Sequence, residues 1–288
     1  MKFGFVTCVQ LGMSCMEAIY AAGGKLDLAI TLLDEQAVNK SGRVYLDAFC
    51  GAHEIPLLKT RNVNDPSAID TIRQAEIDWL FIIGWSQIAR EDLLTTPRLG
   101  VLGMHPSLLP VGRGRAAVPW AILKQLDQTG VTLFKLDTGV DTGDIFDQMA
   151  IPLHPQIDAE ELYAKVDAAH VALMTQAYPR LVSGQIVATE QDHARATYWD
   201  KRTPEDGQLD LARSVWDAER QVRAVTRPYP GAFVELGERR LVIWRAEVVE
   251  DAPNDATTVE FPDGTLRALE WETREMSTGR VLAGSDKA

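Results

Sequence analysis

Short apolar segments alternate with helical patterns along the first part of the 288-residue chain. Because strands that are separated by helices pair in parallel and carry the helices on their faces, this alternation predicts an α/β fold. Helical patterns cover residues 14–22 and 41–52, and Asn64-Asp65-Pro66 is typical of the beginning of a further helix. The strand-like segments are FGFVTCV (3–9), LDLAITLL (26–33), IPLLKT (55–60), WLFIIGW (79–85) and LGVLGMH (99–105).

The pattern continues to residue 182 and then changes. A helix is predicted over 117–125, a strand over 130–136, a glycine-rich loop over 137–145 and a long helix from Asp158 to about Val182. The stretch YWDKRTPEDGQLD (198–210) is polar and contains proline and glycine, which indicates a link between domains. A helix at 214–226 follows, and then short strands with turns at Gly237 and at Asp263-Gly264.

Two domains are therefore predicted. Residues 1–198 form the larger domain, with a Rossmann-like parallel sheet and helices on both faces. Residues 199–288 form a helix and a small, mainly β C-terminal domain.

The net charge of the chain limits the classes of molecule that it is expected to bind. The chain has 41 acidic and 29 basic side chains, a formal net charge of -12, so nucleic acid and anionic membranes are repelled at long range. An anionic substrate then needs a local basic patch. Cys8, Cys15 and Cys50 form no CxxC pair, and no apolar segment is long enough for a signal peptide or a membrane helix, so a cytoplasmic protein with reduced thiols is expected.

His105 stands at the end of a predicted strand, where open parallel sheets bind their ligands. Asp141 follows the next strand, so the two side chains are expected to meet. A histidine takes and gives protons near neutral pH, and a carboxylate orients it, so the pair suits general acid–base catalysis. His105 as a structural strand-end residue remains an alternative, Asp137 and Asp144 compete with Asp141, and a metal site from these residues lacks a diagnostic spacing.

The loop between His105 and the following helix contains Gly-Arg-Gly-Arg (112–115). Glycines allow close approach of the backbone and arginine matches phosphate oxygens, so the loop is either a phosphate site or a solvated turn. The first strand is followed by VTCVQLGMSCM without GxGxxG, and no GxSxG is present. A nicotinamide-binding site and a serine hydrolase elbow are therefore disfavoured.

Three stretches taken together, HPSLLPVGRGRAAVPWAI, TGVTLFKLDTGVDTGDI and KRTPEDGQLD with VRAVTRPYPGAF, resemble the formyltransferases that use 10-formyltetrahydrofolate. The resemblance covers roughly residues 1–250 and rests on the order of the three motifs. It is closest to the N-formyltransferases of nucleotide-linked amino sugars, and the family also includes methionyl-tRNA formyltransferase. It implies that the 1–198 domain is catalytic.

The family's catalytic set is asparagine, histidine and aspartate. The resemblance assigns the last two roles to His105 and Asp141, but Gly103 stands where the family has asparagine. Formyl transfer to an amine passes through a tetrahedral oxyanion, and loss of one donor typically costs about 10²- to 10³-fold in rate. A water beside Gly103, an accessible backbone N–H, or the side chains of Ser86 or Gln87 are the candidate replacements.

The resemblance also implies the binding residues, with 10-formyltetrahydrofolate as cosubstrate, an amino sugar nucleotide as the acceptor and no metal. The pterin is expected at Ile83, Gly84, Trp85, Ser86, Gln87, Ile88, Asp137 and Gly139. The sugar nucleotide is expected at Ser107, Leu108, Arg113, Gly114, Arg115 and Lys201. Sugar-formylating relatives are often dimers, so a homodimer is expected.

Three functions stay open from the sequence. The first is N-formylation of a nucleotide-linked amino sugar for surface polysaccharide. The second is formylation of methionyl-tRNA, against which the acidic composition argues because tRNA contact needs a basic surface. The third, motivated by Gly103, is a folate or nucleotide-sugar binding protein without transfer.

Overall fold

A computed structural model describes residues 1–38, 42–251, 256–275 and 281–282 of the chain. The chain folds into two compact units, and each is built from several chain segments. The first unit comprises Met1–Gly114, Gln128–Pro152 and Lys165–Trp199. The second comprises Arg115–Asp127, Leu153–Ala164 and Asp200–Ala288.

A seven-stranded sheet forms the centre of the first unit, in the order β3-β2-β1-β4-β5-β7-β8. A separate two-stranded sheet joins β6 to β9 in parallel. The strands of this unit are β1 (Phe3–Val6), β2 (Leu28–Leu32), β3 (Leu57–Thr60), β4 (Trp79–Ile82), β5 (Gly100–His105), β6 (Arg113–Gly114), β7 (Gln128–Lys135), β8 (Ile145–Pro152) and β9 (Tyr198–Trp199).

The large sheet is mixed at one edge. Strands β3, β2, β1, β4 and β5 are parallel, as the alternating pattern predicts, but β7 is antiparallel to β5 and to β8. Residues 136–144 connect β7 to β8 as the loop of a hairpin, and the sequence pattern gives no strand at 145–152. An antiparallel neighbour needs no crossover helix, which is why alternation alone does not reveal this edge.

Within the described part of the chain, seven helices connect these strands and continue into the second unit. They are α1 (Gln10–Ala21), α2 (Asp47–Ala52), α3 (Pro66–Gln74), α4 (Glu91–Leu94), α5 (Ala117–Leu123), α6 (Ala159–Val182) and α7 (Val215–Val225). Helix α1 begins four residues before the predicted start, and α2 is shorter than the predicted 41–52, of which residue 41 lies outside the described residues. Helix α3 begins at Pro66 as predicted, although the Asp65 carboxylate bonds back to Asn62 N and the Thr60 hydroxyl.

The core of the first unit lies on the two faces of the parallel strands. Val6, Ile30, Leu80 and Val101 are fully buried within one apolar cluster. On these strands alternate residues point to opposite faces and both are covered, so the apolar runs are continuous rather than alternating. The carboxyl end of β5, where His105 lies, is therefore fixed by a rigid sheet.

The second unit contains α7 and an antiparallel sheet in the order β10-β11-β13-β12, with β14 paired to β13. Helix α7 packs on β11 and β13, and the Ser214 hydroxyl accepts a hydrogen bond from Trp216 N at its beginning. A mainly β C-terminal region is thus confirmed. Its strands are β10 (Ala232–Leu236), β11 (Arg239–Val249), β12 (Thr258–Phe261), β13 (Gly264–Glu275) and β14 (Val281–Leu282).

None of the helices in the described part of the chain combines the length and the apolar character needed to cross a membrane.

Candidate active site

His105 ends β5 with its imidazole 8% exposed. Its Nε2 lies 2.8 Å from the carbonyl oxygen of Gly112. Because a carbonyl only accepts, Nε2 carries the hydrogen and donates it. Nδ1 then faces the carboxylate of Asp141, whose Oδ2 is 3.6 Å away. His105 therefore keeps one ring nitrogen fixed by the backbone and the other beside an acidic side chain.

Asp141 reaches His105 by a route that the sequence does not predict. The sequence predicts a parallel sheet, but β7, the strand before Asp141, runs antiparallel to β5. Leu136 N donates to Val101 O (2.8 Å), so the loop after β7 begins near the amino end of β5. The loop then folds back until Asp141 lies beside His105, and Asp141 adopts a left-handed backbone conformation with φ 54°.

The other two aspartates of the loop have different contacts. Asp137 Oδ1 accepts hydrogen bonds from Gly139 N (3.0 Å) and from the Thr142 hydroxyl (2.7 Å), which closes the turn. The exposed Asp144 accepts a bond from Lys135 N through its backbone carbonyl. Of the three, Asp141 is the carboxylate within 4 Å of His105.

The 110–114 segment holds both members of the pair. Gly112 O accepts from His105, and Gly114 N donates to Oδ2 of Asp141 at 2.8 Å. A Cβ on Gly112 would lie 2.5 Å from the Trp199 indole, and one on Gly114 would lie 2.3 Å from Trp199 O. The two glycines are therefore required by the close pairing of β6 with β9.

Arg113 is buried between these glycines, at 1% exposure. Its Nε and Nη2 donate to Oε1 of Gln191 at 3.2 and 2.7 Å, Nη1 donates to the Tyr198 hydroxyl at 2.9 Å, and Nη2 donates to Nδ1 of His193 at 2.9 Å. A phosphate would reach this guanidinium only by displacing its present partners. Arg115, in contrast, is exposed.

Gln191 is a functional candidate that sequence reasoning missed. It is 3% exposed, and its Nε2 donates to Asp141 O at 2.9 Å and to Gly143 O at 2.6 Å. A lone glutamine in a polar stretch carries no motif. The signal that finds it is spatial, since its partners lie 48 to 78 residues away.

The remaining predicted substrate residues have different surroundings. Ser107 is buried and its hydroxyl donates to Val111 O at 2.8 Å, which stiffens the loop after β5. Leu108 packs against Gly130, since a Cβ on Gly130 would lie 2.4 Å from Leu108 Cδ2. Lys201 is exposed and belongs to the second unit.

Gly103 has no empty space beside it. A Cβ at this position would lie 2.7 Å from Leu136 Cδ2 and 3.4 Å from Phe134 Cε1. Leu136 thus occupies volume next to Gly103, where a bound water is one of the candidate replacements for the family asparagine. Gly103 also pairs with Ile82 on one side and Phe134 on the other, which places its backbone within the sheet.

The loop after β4 contains the residues predicted for the pterin. Gly84 has φ +67°, and a Cβ there would lie 2.1 Å from Val9, so the loop closely approaches the segment between β1 and α1. Gln87 bonds to Val63 N (2.9 Å) and Arg61 O (2.8 Å), and its side chain therefore braces a neighbouring loop. Ile83 is buried, the Trp85 indole N–H is buried with no hydrogen-bond partner among the described residues, and Ile88 is 73% exposed.

Gly139 lies at the tip of the 137–144 loop. A Cβ there would lie 1.9 Å from the Thr142 hydroxyl, so the turn closed by Asp137 depends on this glycine. Val140, the next residue, is 54% exposed.

Three titratable groups outside the His105–Asp141 pair have shifted pKa values. Burial lowers the pKa of His170 to about 4, and the charge of nearby His105 adds to this shift. Burial raises the pKa of Asp167, although the Ser14 hydroxyl bonds to it, and burial also raises the pKa of Cys15. His170 is thus neutral near pH 7 and adds no positive charge beside His105.

No group of three or more histidine, cysteine, aspartate or glutamate side chains suited to a metal occurs among residues 1–38, 42–251 and 256–275.

Comparison with known families gives two matches in chain order. A family model described as formyl transferase matches residues 34–178, and a model of the formyl transferase C-terminal domain matches residues 201–282.

Solved structures with the same fold include three of interest. Methionyl-tRNA formyltransferase from Clostridium thermocellum is 17% identical, with 96% of this chain and 99% of that chain covered and a TM-score of 0.64. An N-formyltransferase from Helicobacter canadensis, in complex with folinic acid and dTDP-3-aminofucose, is 17% identical, with 93% and 98% covered and a TM-score of 0.68. HypX from Aquifex aeolicus, in complex with tetrahydrofolic acid, is 16% identical, with a TM-score of 0.67, and this chain spans 44% of it.

Proposed function

The chain belongs to the formyltransferase family, and from this premise we propose that it transfers a formyl group from 10-formyltetrahydrofolate to the amine of a nucleotide-linked amino sugar. The observation that carries the proposal is the buried His105–Asp141 pair, fixed from both sides by the 110–114 segment. The complex of the Helicobacter canadensis enzyme with folinic acid and an amino sugar nucleotide supports the choice of both substrates.

In the proposed reaction, Nδ1 of His105 accepts a proton from the amine as the amine nitrogen bonds to the formyl carbon. Asp141, 3.6 Å away, stabilises the positive charge that the imidazole acquires. His105 then returns the proton to the folate nitrogen as the original carbon–nitrogen bond breaks and its electron pair goes to that nitrogen. The products are the N-formyl sugar and tetrahydrofolate, so atoms and charge balance.

The formyl oxygen carries negative charge midway through this reaction. Gly103 supplies no side-chain donor, and Leu136 makes that side of β5 apolar. We assign the stabilisation of this charge mainly to protonated His105, because a cation in a water-poor site acts more strongly than in bulk water.

The folate site is proposed at the loop of residues 83–88 and at the 137–144 loop. Each loop carries an exposed aliphatic side chain, Ile88 and Val140, which suits the face of a flat ring. Gly84 and Gly139 hold these loops in conformations that a Cβ would obstruct, so backbone groups can approach a ligand edge.

The diphosphate of the sugar nucleotide is proposed to bind Arg115 and Lys201, which are exposed. Arg113 then shapes the loop from within rather than binding phosphate. A small substrate with two phosphates suits a chain with a net charge of -12 better than tRNA does, because only a local patch has to be basic.

The test is a formyl-transfer assay with 10-formyltetrahydrofolate and a panel of acceptors, read by mass spectrometry of each product. The panel contains 3-amino and 4-amino sugars linked to dTDP, UDP and GDP, together with methionyl-tRNA, and a reaction without acceptor is the control. A gain of one formyl group on a sugar amine supports the proposal. Formylation of methionyl-tRNA alone, or folate binding without any product, overturns it.

A further inference from the structure

Gln191 connects the two loops of the site through all of its polar atoms. Its Oε1 accepts two hydrogen bonds from Arg113, and its Nε2 donates one bond each to Asp141 O and Gly143 O. The residue is 3% exposed, so its polar atoms are shielded from solvent. The buried amide therefore couples the 110–114 segment to the 137–144 loop.

For Arg113 considered by itself, glutamine at position 191 is a weaker partner than glutamate would be. The guanidinium is 1% exposed, and no carboxylate of the described residues lies within 4 Å of it. Its acceptors are the neutral Gln191, Tyr198 and His193. A glutamate at position 191 would give the buried cation a charged partner, and charge-assisted hydrogen bonds are roughly twice as strong as neutral ones.

A glutamate cannot, however, serve the other loop. Only an amide has N–H groups to donate to Asp141 O and Gly143 O, and an ionised carboxylate would repel both carbonyl oxygens. Gln191 thus forgoes a stronger bond to Arg113 and holds the 137–144 loop instead.

The loop needs this support because Asp141 has φ 54°. A left-handed conformation is unfavourable for a residue with a Cβ, although less so for aspartate than for most residues. Gln191 holds Asp141 through its carbonyl, and Gly114 N holds it through Oδ2. The two contacts together fix the 3.6 Å approach of Oδ2 to His105 Nδ1.

We propose that Gln191 is a positioning residue for formyl transfer, which fixes Asp141 against His105 through its amide N–H groups. The inference rests on the proposed function. It concerns the rate of the chemical step, because Gln191 acts through Asp141 and touches neither His105 nor any predicted binding residue of the 83–88 loop.

The test is Gln191→Glu, which preserves the acceptor for Arg113 and removes the donors to the loop. With the acceptor identified by the panel, kcat is expected to fall about 10- to 100-fold while KM for both substrates changes less than about threefold. The matched control is Gln185→Glu, the same change of charge at an exposed position in the same unit, which is expected to leave kcat unchanged.

A double-mutant cycle separates positioning from a general loss of structure. In an Asp141→Ala background, Gln191→Glu is expected to change kcat less than about twofold, because the residue through which it acts is gone. An equal fall in both backgrounds, or a wild-type kcat in Gln191→Glu, overturns the inference. An inactive wild-type protein would instead count against the proposed function.

If Gln191→Glu does not fold, Gln191→Asn keeps both polar groups on a side chain one methylene shorter. Amide hydrogen exchange of residues 137–144 is then measured beside kcat. Faster exchange of this loop with a lower kcat supports the inference, and unchanged exchange and kcat overturn it.

Discussion

On one side of His105, the imidazole is bonded to Gly112, Asp141 is bonded to Gly114, and Gln191 ties the Asp141 loop to a buried arginine. On the other side, two residues earlier on the same face of β5, Gly103 has no side chain and Leu136 covers it. The first side is a connected polar network, and the second is apolar packing. In the proposed mechanism, this difference means that the enzyme relies on a well-held acid–base pair and does without a side-chain oxyanion donor at position 103.

The largest fall in kcat is expected when Asp141, at the centre of the polar network, is substituted. Asp141→Asn keeps the size of the side chain but removes the charge that stabilises protonated His105. We expect kcat for formyl transfer to fall by about 10²- to 10⁴-fold. Steady-state kinetics measures this effect. Asp144→Asn, on the same loop but without a His105 contact, is the control, and equal losses in both variants would contradict the assignment of Asp141.

A smaller change is expected when a donor is added to the apolar side. Gly103→Asn alone forces Leu136 aside, and overpacking is expected to lower the free energy of unfolding by about 1–3 kcal/mol. Combined with Leu136→Ala, which makes space, Gly103→Asn is expected to raise kcat about 10-fold above that of Leu136→Ala alone.

Urea unfolding gives the free energy of unfolding, and steady-state kinetics gives kcat. Both are measured for Gly103→Asn, for Leu136→Ala and for the double variant. A double variant no faster than Leu136→Ala would mean that the amide does not reach the formyl oxygen. Position 103 would then not be a place from which a side chain can donate a hydrogen bond to the formyl oxygen.

Gly114→Ala tests the scaffold of the polar side. Its φ is +108° and a Cβ would lie 2.3 Å from Trp199 O, so β6 must separate from β9. The free energy of unfolding is expected to fall by about 1–3 kcal/mol, and kcat by several-fold as Asp141 loses its backbone donor.

Gly184→Ala is the matched control for Gly114→Ala. Gly184 also has a positive φ, +68°, but nothing lies within 4 Å of its Cβ position. It is expected to lose stability through strain alone and to retain kcat. If kcat fell by the same factor in Gly114→Ala and Gly184→Ala, the loss of activity in Gly114→Ala could not be attributed to the pairing of β6 with β9.

The smallest effect concerns stability alone. The pKa of His170 is about 4 in the folded chain against 6.5 for the free side chain, so the unfolded chain binds its proton first as the pH falls. The stability associated with neutral His170 is therefore complete above pH 6.5 and is lost between pH 6.5 and 4, by about 3 kcal/mol in total.

His170→Met is expected to flatten this part of the pH profile of unfolding free energy. Urea unfolding at several pH values between 7 and 4 measures the difference between the two proteins. An unchanged slope would mean that His170 stays accessible to protons in the folded state.

The positions of the strands up to β5 along the chain and the meeting of His105 with Asp141 could be predicted from sequence, because apolar runs and motif order are local signals. The direction of β7 could not, since an apolar strand pattern is the same in either direction. The burial of Arg113 also escaped prediction. Its partners Gln191, His193 and Tyr198 lie 78 to 85 residues away, and the Gly-Arg-Gly-Arg pattern alone is equally consistent with a surface loop.

The most direct test of the account is the single-turnover rate of formyl transfer by His105→Ala, measured with and without added imidazole. If His105 moves the proton, the rate falls by about 10²- to 10⁴-fold while folate binding is retained, and imidazole restores part of it. A single-turnover rate within about threefold of wild type would contradict the central role of the His105–Asp141 pair.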